Sequence, residues 1–282
     1  MDLTNPKQIE ALLQRHSFRF SKAFGQNFLI NPRIPRKIAE AAGVDEETTV
    51  LEIGPGIGCL TEQLAERAKK VIAVEIDQRL LPLLDETLTG RNNVQIVCAD
   101  VLSADLKALL AGEERLAVCA NLPYNITTPI LTRLFTCGVP FRSVTVMVQK
   151  EVAKRFCARK GSKDYGAITL FLNYYTKPAY LFDVSAGNFL PRPHVDSAVI
   201  RFDAVPPPVD TEPEQLFRLI RAAFGQRRKT LTNAWTSLGI PKERTADALR
   251  RIGKPETARG EELDLTDYAS LATLLEGDFP LQ

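Results

Sequence analysis

Short apolar runs alternate with helix-like stretches from Thr49 onward, and this alternation limits the possible folds more than any other feature of the chain. The apolar runs that predict strands cover residues 49–53, 71–75, 94–99, 116–120 and 143–149. The stretches that predict helices lie between them, near residues 60–69, 78–89, 104–111 and 128–137. Such a rhythm predicts an α/β fold, with a Rossmann-like and mostly parallel sheet that is covered by helices on both faces.

The residues after this pattern predict a second, smaller domain. Runs at 167–174 and 197–202 are interpreted as strands without a full helix between them, so the sheet is expected to end in an antiparallel pair. A stiff, proline-rich linker at 205–213 follows. Beyond it the pattern is purely helical, near 214–224, 229–238, 242–252 and 266–276. We therefore expect an α/β domain at 1–204, the linker at 205–213 and an all-α domain at 214–282.

The first 29 residues predict a short helix followed by an irregular segment. Residues 5–15 predict a short amphipathic helix, with Ile9, Leu12 and Leu13 on one side. From His16 to Phe28, aromatic residues alternate with basic and small ones without any period. This segment is expected to be a loop with exposed rings, or a lid.

The charge and the cysteines of the chain limit which partners, metal sites and cellular compartments are possible. The chain has 36 Lys and Arg against 34 Asp and Glu, a net charge of only +2, so a nucleic-acid partner would have to be held by local basic patches. The cysteines form no CxxC pair, which indicates a reducing compartment, and the widely separated His16 and His194 argue against a zinc site. No apolar stretch is long enough to span a membrane and no signal-peptide pattern precedes the first helix, so a cytoplasmic protein that binds neither membrane nor metal is expected.

A glycine-rich loop predicts a nucleoside-containing cofactor. Gly54-Pro55-Gly56-Ile57-Gly58 follows directly on a predicted strand and opens a helix, so that a ligand can approach the backbone. Glu75 ends the next strand about twenty residues later, where doubly wound folds place an acid on the ribose hydroxyls. A structural turn is the alternative interpretation of the glycines alone.

Two further strand ends favour S-adenosylmethionine over a nicotinamide dinucleotide. The glycines are spaced GxGxG rather than the GxGxxG that holds a pyrophosphate. Asp100, which is followed by Val101, closes the third strand and could accept a hydrogen bond from an adenine amine. The fourth strand closes at Asn121, next to the place expected for a sulfonium methyl group.

The tetrapeptide Asn121-Leu122-Pro123-Tyr124 is suited to methylation of the exocyclic amine of a nucleobase. An Asn side-chain oxygen and a neighbouring backbone carbonyl can accept the N–H groups of the amine, which favours a geometry in which its lone pair can attack. Pro123 stiffens the turn, and Tyr124 offers a flat face to a base taken out of its stack. For four residues alone, a strand-terminating turn with a packed Tyr is an equal alternative.

Motifs along nearly the whole chain resemble those of the ribosomal RNA adenine N6,N6-dimethyltransferase family. They are FGQNFL at 24–29, LEIGPGIG at 51–58, VEID at 74–77, ADV at 99–101, NLPYNI at 121–126, MVQKEVA at 147–153, GSKDYG at 161–166, NFLPRP at 188–193, VDSAV at 195–199 and FGQRRKTL at 224–231. The resemblance is closest to the bacterial enzymes that dimethylate two adjacent adenosines in the 3′-terminal hairpin of 16S rRNA during small-subunit biogenesis.

The resemblance implies roles for individual residues. Residues 1–204 would be the S-adenosylmethionine-binding catalytic domain, with 1–29 as N-terminal helix and lid, and 214–282 would position RNA. The cofactor contacts would be Asn27, Leu29, Gly54, Gly56, Glu75, Asp100, Val101 and Asn121. Asn121 and the Leu122 carbonyl would accept the amine hydrogens, and Phe189 would face Tyr124 as the second wall around the flipped base. From its sequence context alone, Phe189 is more simply a core residue.

A cluster of basic residues predicts RNA binding by the C-terminal helices, although a solvated surface is the alternative. Acidic residues are sparse between Glu214 and Glu243, and an enzyme acting on folded RNA needs contacts to the backbone. The predicted RNA contacts are Arg221, Arg227, Arg228 and Lys229, with Lys163 from another side. Further candidates are Arg218, Arg250, Arg251, Lys254, Arg259, Lys160 and Tyr165.

Other functions remain open at this point. A related large-subunit rRNA adenine methyltransferase of the macrolide-resistance type has similar motifs, and a DNA adenine methyltransferase has a similar tetrapeptide but a different target-recognition region. The chain could also act chiefly as a non-catalytic assembly factor for the 30S subunit. The expected partner is 16S rRNA in the small subunit or its precursor, and a monomer is expected.

Overall fold

The computed structural model describes residues 1–21 and 25–278. The strands are β1 (Phe28–Leu29), β2 (Thr49–Ile53), β3 (Lys70–Glu75), β4 (Val94–Cys98), β5 (Leu116–Asn121), β6 (Ser143–Gln149), β7 (Thr176–Val184), β8 (Phe189–Leu190) and β9 (Ser197–Ala204). The α-helices are α1 (Pro6–Arg15), α2 (Arg33–Ala41), α3 (Cys59–Ala65), α4 (Leu81–Thr87), α5 (Leu106–Leu109), α6 (Thr127–Thr136), α7 (Lys150–Phe156), α8 (Ala167–Tyr175), α9 (Pro213–Gly225), α10 (Leu231–Ala234), α11 (Lys242–Arg251) and α12 (Leu265–Leu274).

A mixed sheet with strand order β4-β3-β2-β5-β6-β9-β7 confirms the predicted α/β class. Strands β4, β3, β2, β5 and β6 run parallel to one another, and β9 pairs antiparallel with β6. The carboxyl ends of the parallel strands therefore meet at one edge of the sheet, where loops can converge on a ligand.

The continuous apolar runs form the inner strands because both faces of the sheet are covered. Every residue of β2 is buried, and so are all residues of β5 before Asn121. On one face, Val50 and Cys119 share a core with Leu60 and Leu64 of α3. A parallel sheet buried on both faces needs such unbroken apolar runs, which is why the sequence pattern identified these strands.

The predicted strand at 167–174 is wrong, because this run is helix α8. Gly166 begins the helix, with its N–H donating to the Thr169 hydroxyl at 3.1 Å. Leu170 and Tyr174, four residues apart, both enter an apolar core. A short apolar run fits a buried helix as well as a strand. The sheet instead ends in β9, which pairs antiparallel with β6, followed by the edge strand β7.

The described residues form two compact units whose boundary differs from the expected one. The first contains Met1–Ala153 and Ala179–Ala204, and the second contains Lys154–Pro178 and the residues from Val205 onward. Residues 154–178 join the second unit because Tyr165, Leu170 and Tyr174 pack in the same core as Trp235 and Tyr268. The proline-rich segment also belongs to this unit, where the Val205 N–H donates to the Tyr175 carbonyl at 3.1 Å.

The second unit is built around an aromatic-rich helical core. Trp235 is fully buried and its indole N–H donates to the Leu219 carbonyl at 3.0 Å. The hydroxyl of buried Tyr268 donates to the Gly260 carbonyl at 3.1 Å. Among the described residues, no helix is both long enough and apolar enough to cross a membrane.

Candidate active site

A cavity opens at the carboxyl ends of β4, β3, β2 and β5 in the first unit. Its wall comes from the loops after these strands and from residues 25–29. It contains every predicted cofactor residue together with three residues of the tetrapeptide turn, namely Asn27, Leu29, Gly54, Gly56, Glu75, Asp100, Val101, Asn121, Leu122, Pro123 and Tyr124. The sequence prediction thus selected residues that the fold brings to one place.

The glycine loop gives this wall its open shape. Gly54 has φ +67°, a left-handed conformation that disfavours other residues, and a Cβ built on it would meet no atom within 4 Å. A Cβ on Gly56, also left-handed at φ +63°, would lie 3.1 Å from the Phe28 ring. Gly56 therefore lets residues 25–29 approach the loop, and Gly54 leaves backbone exposed to a ligand.

Glu75 ends β3 as a buried acceptor, with 5% of its surface exposed. The Asp77 N–H donates to its Oε1 at 2.8 Å. Burial raises the pKa of Glu75, while backbone N–H groups of Asp77, Gly56 and Ile76 oppose the rise. A carboxylate held in this way can accept hydrogen bonds from a pair of ligand hydroxyls.

Asp100 closes the next strand end along the sheet. Its Oδ1 accepts a hydrogen bond from the Leu102 N–H at 2.9 Å, which fixes the carboxylate in the loop after β4. The side chain is half-buried, and the neighbouring Val101 is buried. One carboxylate and one apolar wall are suitable for an adenine ring with its amine.

Asn121, the last residue of β5, has a defined amide orientation. Its Nδ2 donates to the Asn27 carbonyl at 3.3 Å, so the side-chain oxygen is directed away as the remaining acceptor. The Leu122 N–H donates to the Met147 carbonyl at 3.1 Å, and Thr127 Oγ1 donates to the Pro123 carbonyl at 3.0 Å. These bonds fix the turn on both sides of the Leu122 carbonyl, which has no donor in the part of the chain that the structure describes.

Tyr124 contributes a half-buried ring to the same wall. Its hydroxyl and the Ser197 hydroxyl are 2.7 Å apart and form a hydrogen bond. Burial raises the pKa of Tyr124, against the opposing effect of Ser197, so the ring remains neutral. Anchoring at the hydroxyl end leaves the ring as a fixed stacking surface.

Phe189 does not take the position that the family resemblance implied, but lies in the core as its sequence context favoured. Its side chain is only 2% exposed, it belongs to the apolar core with Leu29 and Val199, and it is not part of the cavity wall. Phe189 in β8 pairs with Leu29 in β1, so its ring lies behind a residue that does line the cavity. In this structure Phe189, the expected second wall of the base sandwich, is a core residue that pairs with Leu29.

The N-terminal segment is tied down over the cavity edge. Gln26 Nε2 donates to Asp77 Oδ2 at 2.7 Å, and Gln26 Oε1 accepts from the Ser21 N–H at 3.1 Å. Arg79 holds the same carboxylate at 2.7 Å and, with Gln26, lowers the pKa of Asp77. Contrary to the expected exposed rings, Phe18 and Phe28 are buried and Phe20 alone of these three is exposed. Phe24, the first residue of the family motif at 24–29, lies outside the described residues.

Glu52 and Gln26 are polar lining residues that were not predicted as site residues from the sequence. Glu52 lies within β2 and lines the cavity, and the signal for it is an acid inside a run that is otherwise apolar. Gln26 also lines the cavity, and its signal is the family motif FGQNFL at 24–29, because the segment has no period that would single it out. In the described residues, no group of three or more His, Cys, Asp or Glu side chains could hold a metal ion.

The predicted RNA-contact residues all lie exposed on the second unit. Arg227 Nη2 donates to the Ser162 carbonyl at 3.4 Å, which places it beside the loop that carries Lys163. The sequence suggested that Lys163 approaches RNA from another side than Arg227, but its loop lies beside Arg227. Tyr165 is buried and donates to the Leu263 carbonyl at 3.0 Å, so its ring is a core element.

The suggested extension of the basic cluster is largely neutralised by acidic partners. Arg250 pairs with Asp247 and Glu256, and Arg251 pairs with Asp247. Lys254 and Lys160 both pair with Asp267, each at 3.0 Å. In the described parts of the chain, Arg221, Arg228, Lys229 and Lys163 have no carboxylate within ion-pair distance, so the positive charge of these four residues is uncompensated.

Proteins with sequences similar to this chain are rRNA methyltransferases. A profile of the ribosomal RNA adenine dimethylase family matches residues 17–275. The chain is 48% identical to ribosomal RNA small subunit methyltransferase A of Geobacillus thermodenitrificans, with 97% of each chain covered. It is 46% identical to the protein of that name in Lachnoclostridium phytofermentans, with 97% of this chain and 98% of the relative covered.

Solved structures with a similar fold include two other methyltransferases. A dimethyladenosine transferase from Plasmodium falciparum aligns with a TM-score of 0.75 and 27% identity, over 89% of this chain and 98% of that one. The 23S rRNA methyltransferase ErmE aligns with a TM-score of 0.68 and 28% identity, over 88% of this chain and 99% of that one.

Proposed function

This chain belongs to the ribosomal RNA adenine dimethylase family, and we propose that it dimethylates N6 of two adjacent adenosines in the 3′-terminal hairpin of 16S rRNA. It is a methyltransferase that uses S-adenosylmethionine. The identity of 48% to a small-subunit enzyme, against 28% to a 23S enzyme, supports the small subunit as its target. An rRNA substrate implies a cytoplasmic enzyme, which we propose acts as a monomer.

The cavity fits the cofactor by its donors and acceptors. We assign the ribose hydroxyls to Glu75, the adenine amine to Asp100 and the amino-acid portion to the backbone at Gly54, because all three residues line the cavity. When bound, the cofactor supplies an electrophilic methyl group. The protein residues then have to position the nucleophile and desolvate it, which are the main sources of rate enhancement for this class of reaction.

The orientation of Asn121 is the observation that carries the proposal. Because its Nδ2 is occupied by the Asn27 carbonyl, its Oδ1 can accept one hydrogen of an adenine amine. The Leu122 carbonyl can accept the other from the same turn. Two acceptors at one nitrogen favour a geometry in which the lone pair faces the methyl group. The protonated product is strongly acidic and loses its proton to solvent, so no general base is needed.

Tyr124 is the stacking surface for a base flipped out of the RNA. Stacking is required because monomethyladenine has one N–H fewer than adenine and forms one hydrogen bond fewer. Base–aromatic stacking contributes about 1–3 kcal/mol, enough to offset a neutral hydrogen bond of about 1 kcal/mol. We do not include Phe189 as a second stacking surface, because its ring lies in the apolar core.

Particle methylation followed by nucleoside mapping tests this function. Small and large subunits from a strain lacking the modification would be incubated separately with protein and cofactor, and their rRNA mapped by mass spectrometry. We expect dimethyladenosine at two neighbouring positions of the small-subunit rRNA. Methylation confined to large subunits would favour the macrolide-resistance type. Binding to small subunits without methylation would favour a purely assembly-related role.

A further inference from the structure

Ser197 is a buried polar residue at the start of an otherwise apolar run, and the proposed function gives it no role. Its side chain is 0% exposed, and the residues that follow it in β9, Ala198, Val199 and Ile200, are buried as well. The backbone of β9 pairs with β6, so the strand itself does not need the Ser197 hydroxyl. A buried hydroxyl is costly unless it has a hydrogen-bond partner, so the partner indicates what the residue does.

The partner of the Ser197 hydroxyl is the hydroxyl of Tyr124, and the two oxygens are 2.7 Å apart. Tyr124 is half-buried and lines the cavity, whereas Ser197 lies behind the wall. Burial raises the pKa of Tyr124, so its hydroxyl is protonated and either residue can donate. The bond therefore joins a fixed residue of the sheet to the ring that we assign to base stacking.

This bond fixes the far end of a ring whose near end is already fixed by the backbone. The Leu122 N–H donates to the Met147 carbonyl, and the Thr127 hydroxyl donates to a carbonyl of the same turn. From a turn held in this way, the side chain of Tyr124 can still rotate about two torsions. A second attachment at the hydroxyl restricts both torsions and sets the plane of the ring.

The register of the sheet relates this anchor to the proposed amine acceptor. Asn121, at the end of β5, is the register partner of Met147 in β6. Two residues further along β6, Gln149 is the register partner of Ser197 at the start of β9. One strand therefore positions both the residue proposed to accept an amine hydrogen and the residue that anchors the stacking ring.

We propose that Ser197 is a positioning residue for the second methyl transfer, because its hydroxyl holds the Tyr124 ring in the plane on which monomethyladenine stacks. This inference rests on the proposed function. Adenine offers two N–H groups to the acceptors of the turn, whereas monomethyladenine offers one, so the orientation of the second substrate depends more on the ring. Loss of the anchor should therefore slow the second transfer more than the first.

A time course of methylation on small subunits from a strain that lacks the modification measures both transfers. The full-length protein would be used at saturating S-adenosylmethionine, and monomethyladenosine and dimethyladenosine would be quantified by mass spectrometry. In Ser197→Ala we expect the second transfer to slow by about two- to tenfold, the effect of one neutral hydrogen bond, and the first to slow by less than about twofold. Monomethyladenosine should therefore accumulate to a higher level than with wild type.

One control and one double-mutant cycle complete the experiment. Ser143→Ala is the matched control, because Ser143 is a buried serine at the other end of the same β6–β9 ladder, and it should keep the wild-type product ratio. Tyr124→Phe removes the same hydrogen bond from the cavity side and should raise the share of monomethyladenosine as Ser197→Ala does. The double variant should raise it no further than either single variant, because both substitutions remove one bond.

The outcomes separate this inference from the proposed function. A wild-type product ratio in folded Ser197→Ala or in Tyr124→Phe would overturn the inference and leave the methyltransferase function intact. Equal slowing of both transfers, or effects of the two substitutions that add, would also overturn it, since Ser197 would then act independently of the ring. If thermal unfolding shows that Ser197→Ala is not folded, the ratio in Tyr124→Phe decides. No dimethyladenosine with the wild-type protein would overturn both.

Discussion

At the scale of single residues, two buried acids line the cavity but differ in their hydrogen-bond partners. Glu75 receives backbone N–H groups at the end of β3, whereas Glu52, one strand away, has an oxygen without a hydrogen-bond partner in the described residues. The spacing from the glycine loop predicted Glu75, because strand ends recur about every twenty residues in this fold. Glu52 could not be singled out in the same way, because the lack of a partner for its oxygen becomes visible only when the neighbouring strands and α3 surround it in the fold.

Removing the Glu75 carboxylate should weaken the cofactor without unfolding the protein. We expect Glu75→Ala to reduce S-adenosylmethionine binding by about 1.5–3 kcal/mol, the range for a hydrogen bond to a charged group. Isothermal titration measures the affinity, and thermal unfolding checks that the fold survives. Unchanged affinity would remove Glu75 from the site.

Phe189 should act through packing rather than through stacking on the base. Phe189→Ala should lower the free energy of unfolding by about 3–5 kcal/mol, because it empties a position in the core. Phe189→Leu, the matched control, keeps most of the apolar volume and should preserve both stability and the ratio of monomethyl to dimethyl product. If folded Phe189→Leu accumulates monomethyladenosine, the ring contacts the base and the sandwich implied by the family resemblance is correct.

At the scale of elements, most of the structural features that could not be predicted lie where the sequence has no clear period. The parallel strands were predicted closely because burial on both faces demands apolar runs, whereas 167–174 has no period that separates a strand from helix α8. The N-terminal segment was expected as a loop or lid, but the bonds of Gln26 to Asp77 and Ser21 that position it have no sequence period. Through the Asn27 carbonyl, this segment also reaches the amide of Asn121.

Breaking the Gln26–Asp77 contact should loosen this segment. Gln26→Ala removes a hydrogen bond to a charged group, so local opening should become easier by about 1.5–3 kcal/mol. Amide hydrogen exchange around residues 18–29 should accelerate, and KM for the cofactor should rise more than kcat falls. Gln95→Ala, at an exposed site in β4, is the control. Unaltered exchange in Gln26→Ala would show that the segment is held by its aromatic packing alone.

At the scale of the whole molecule, charge is distributed locally rather than globally. The net charge is +2, and many cations of the second unit are already paired with acids. Counting basic residues in the sequence therefore overestimated the patch, since ion pairs such as Arg250–Glu256 form only in the fold. The uncompensated cations define the surface that we expect to contact RNA phosphates.

Replacing two of these cations should change the salt dependence of particle binding. Arg221→Ala with Arg228→Ala should lower affinity for the small subunit and reduce the slope of log K against log salt by about 0.7–0.9 per lost phosphate contact. The control replaces Arg250 and Arg251, which are ion-paired, by Ala. Equal slopes for the two double variants would indicate that the predicted patch does not bind RNA. Cofactor affinity should stay unchanged in both.

The most direct test of the central claim is single-turnover methylation of small subunits by Asn121→Ala at saturating cofactor. If the Asn121 oxygen orients the reacting amine, the methyl-transfer rate should fall by about 100-fold or more, as for loss of one transition-state hydrogen bond. Subunit binding should remain near wild type, and Asn92→Ala, at an exposed turn, should retain full activity. A methyl-transfer rate near that of wild type in Asn121→Ala would contradict the account.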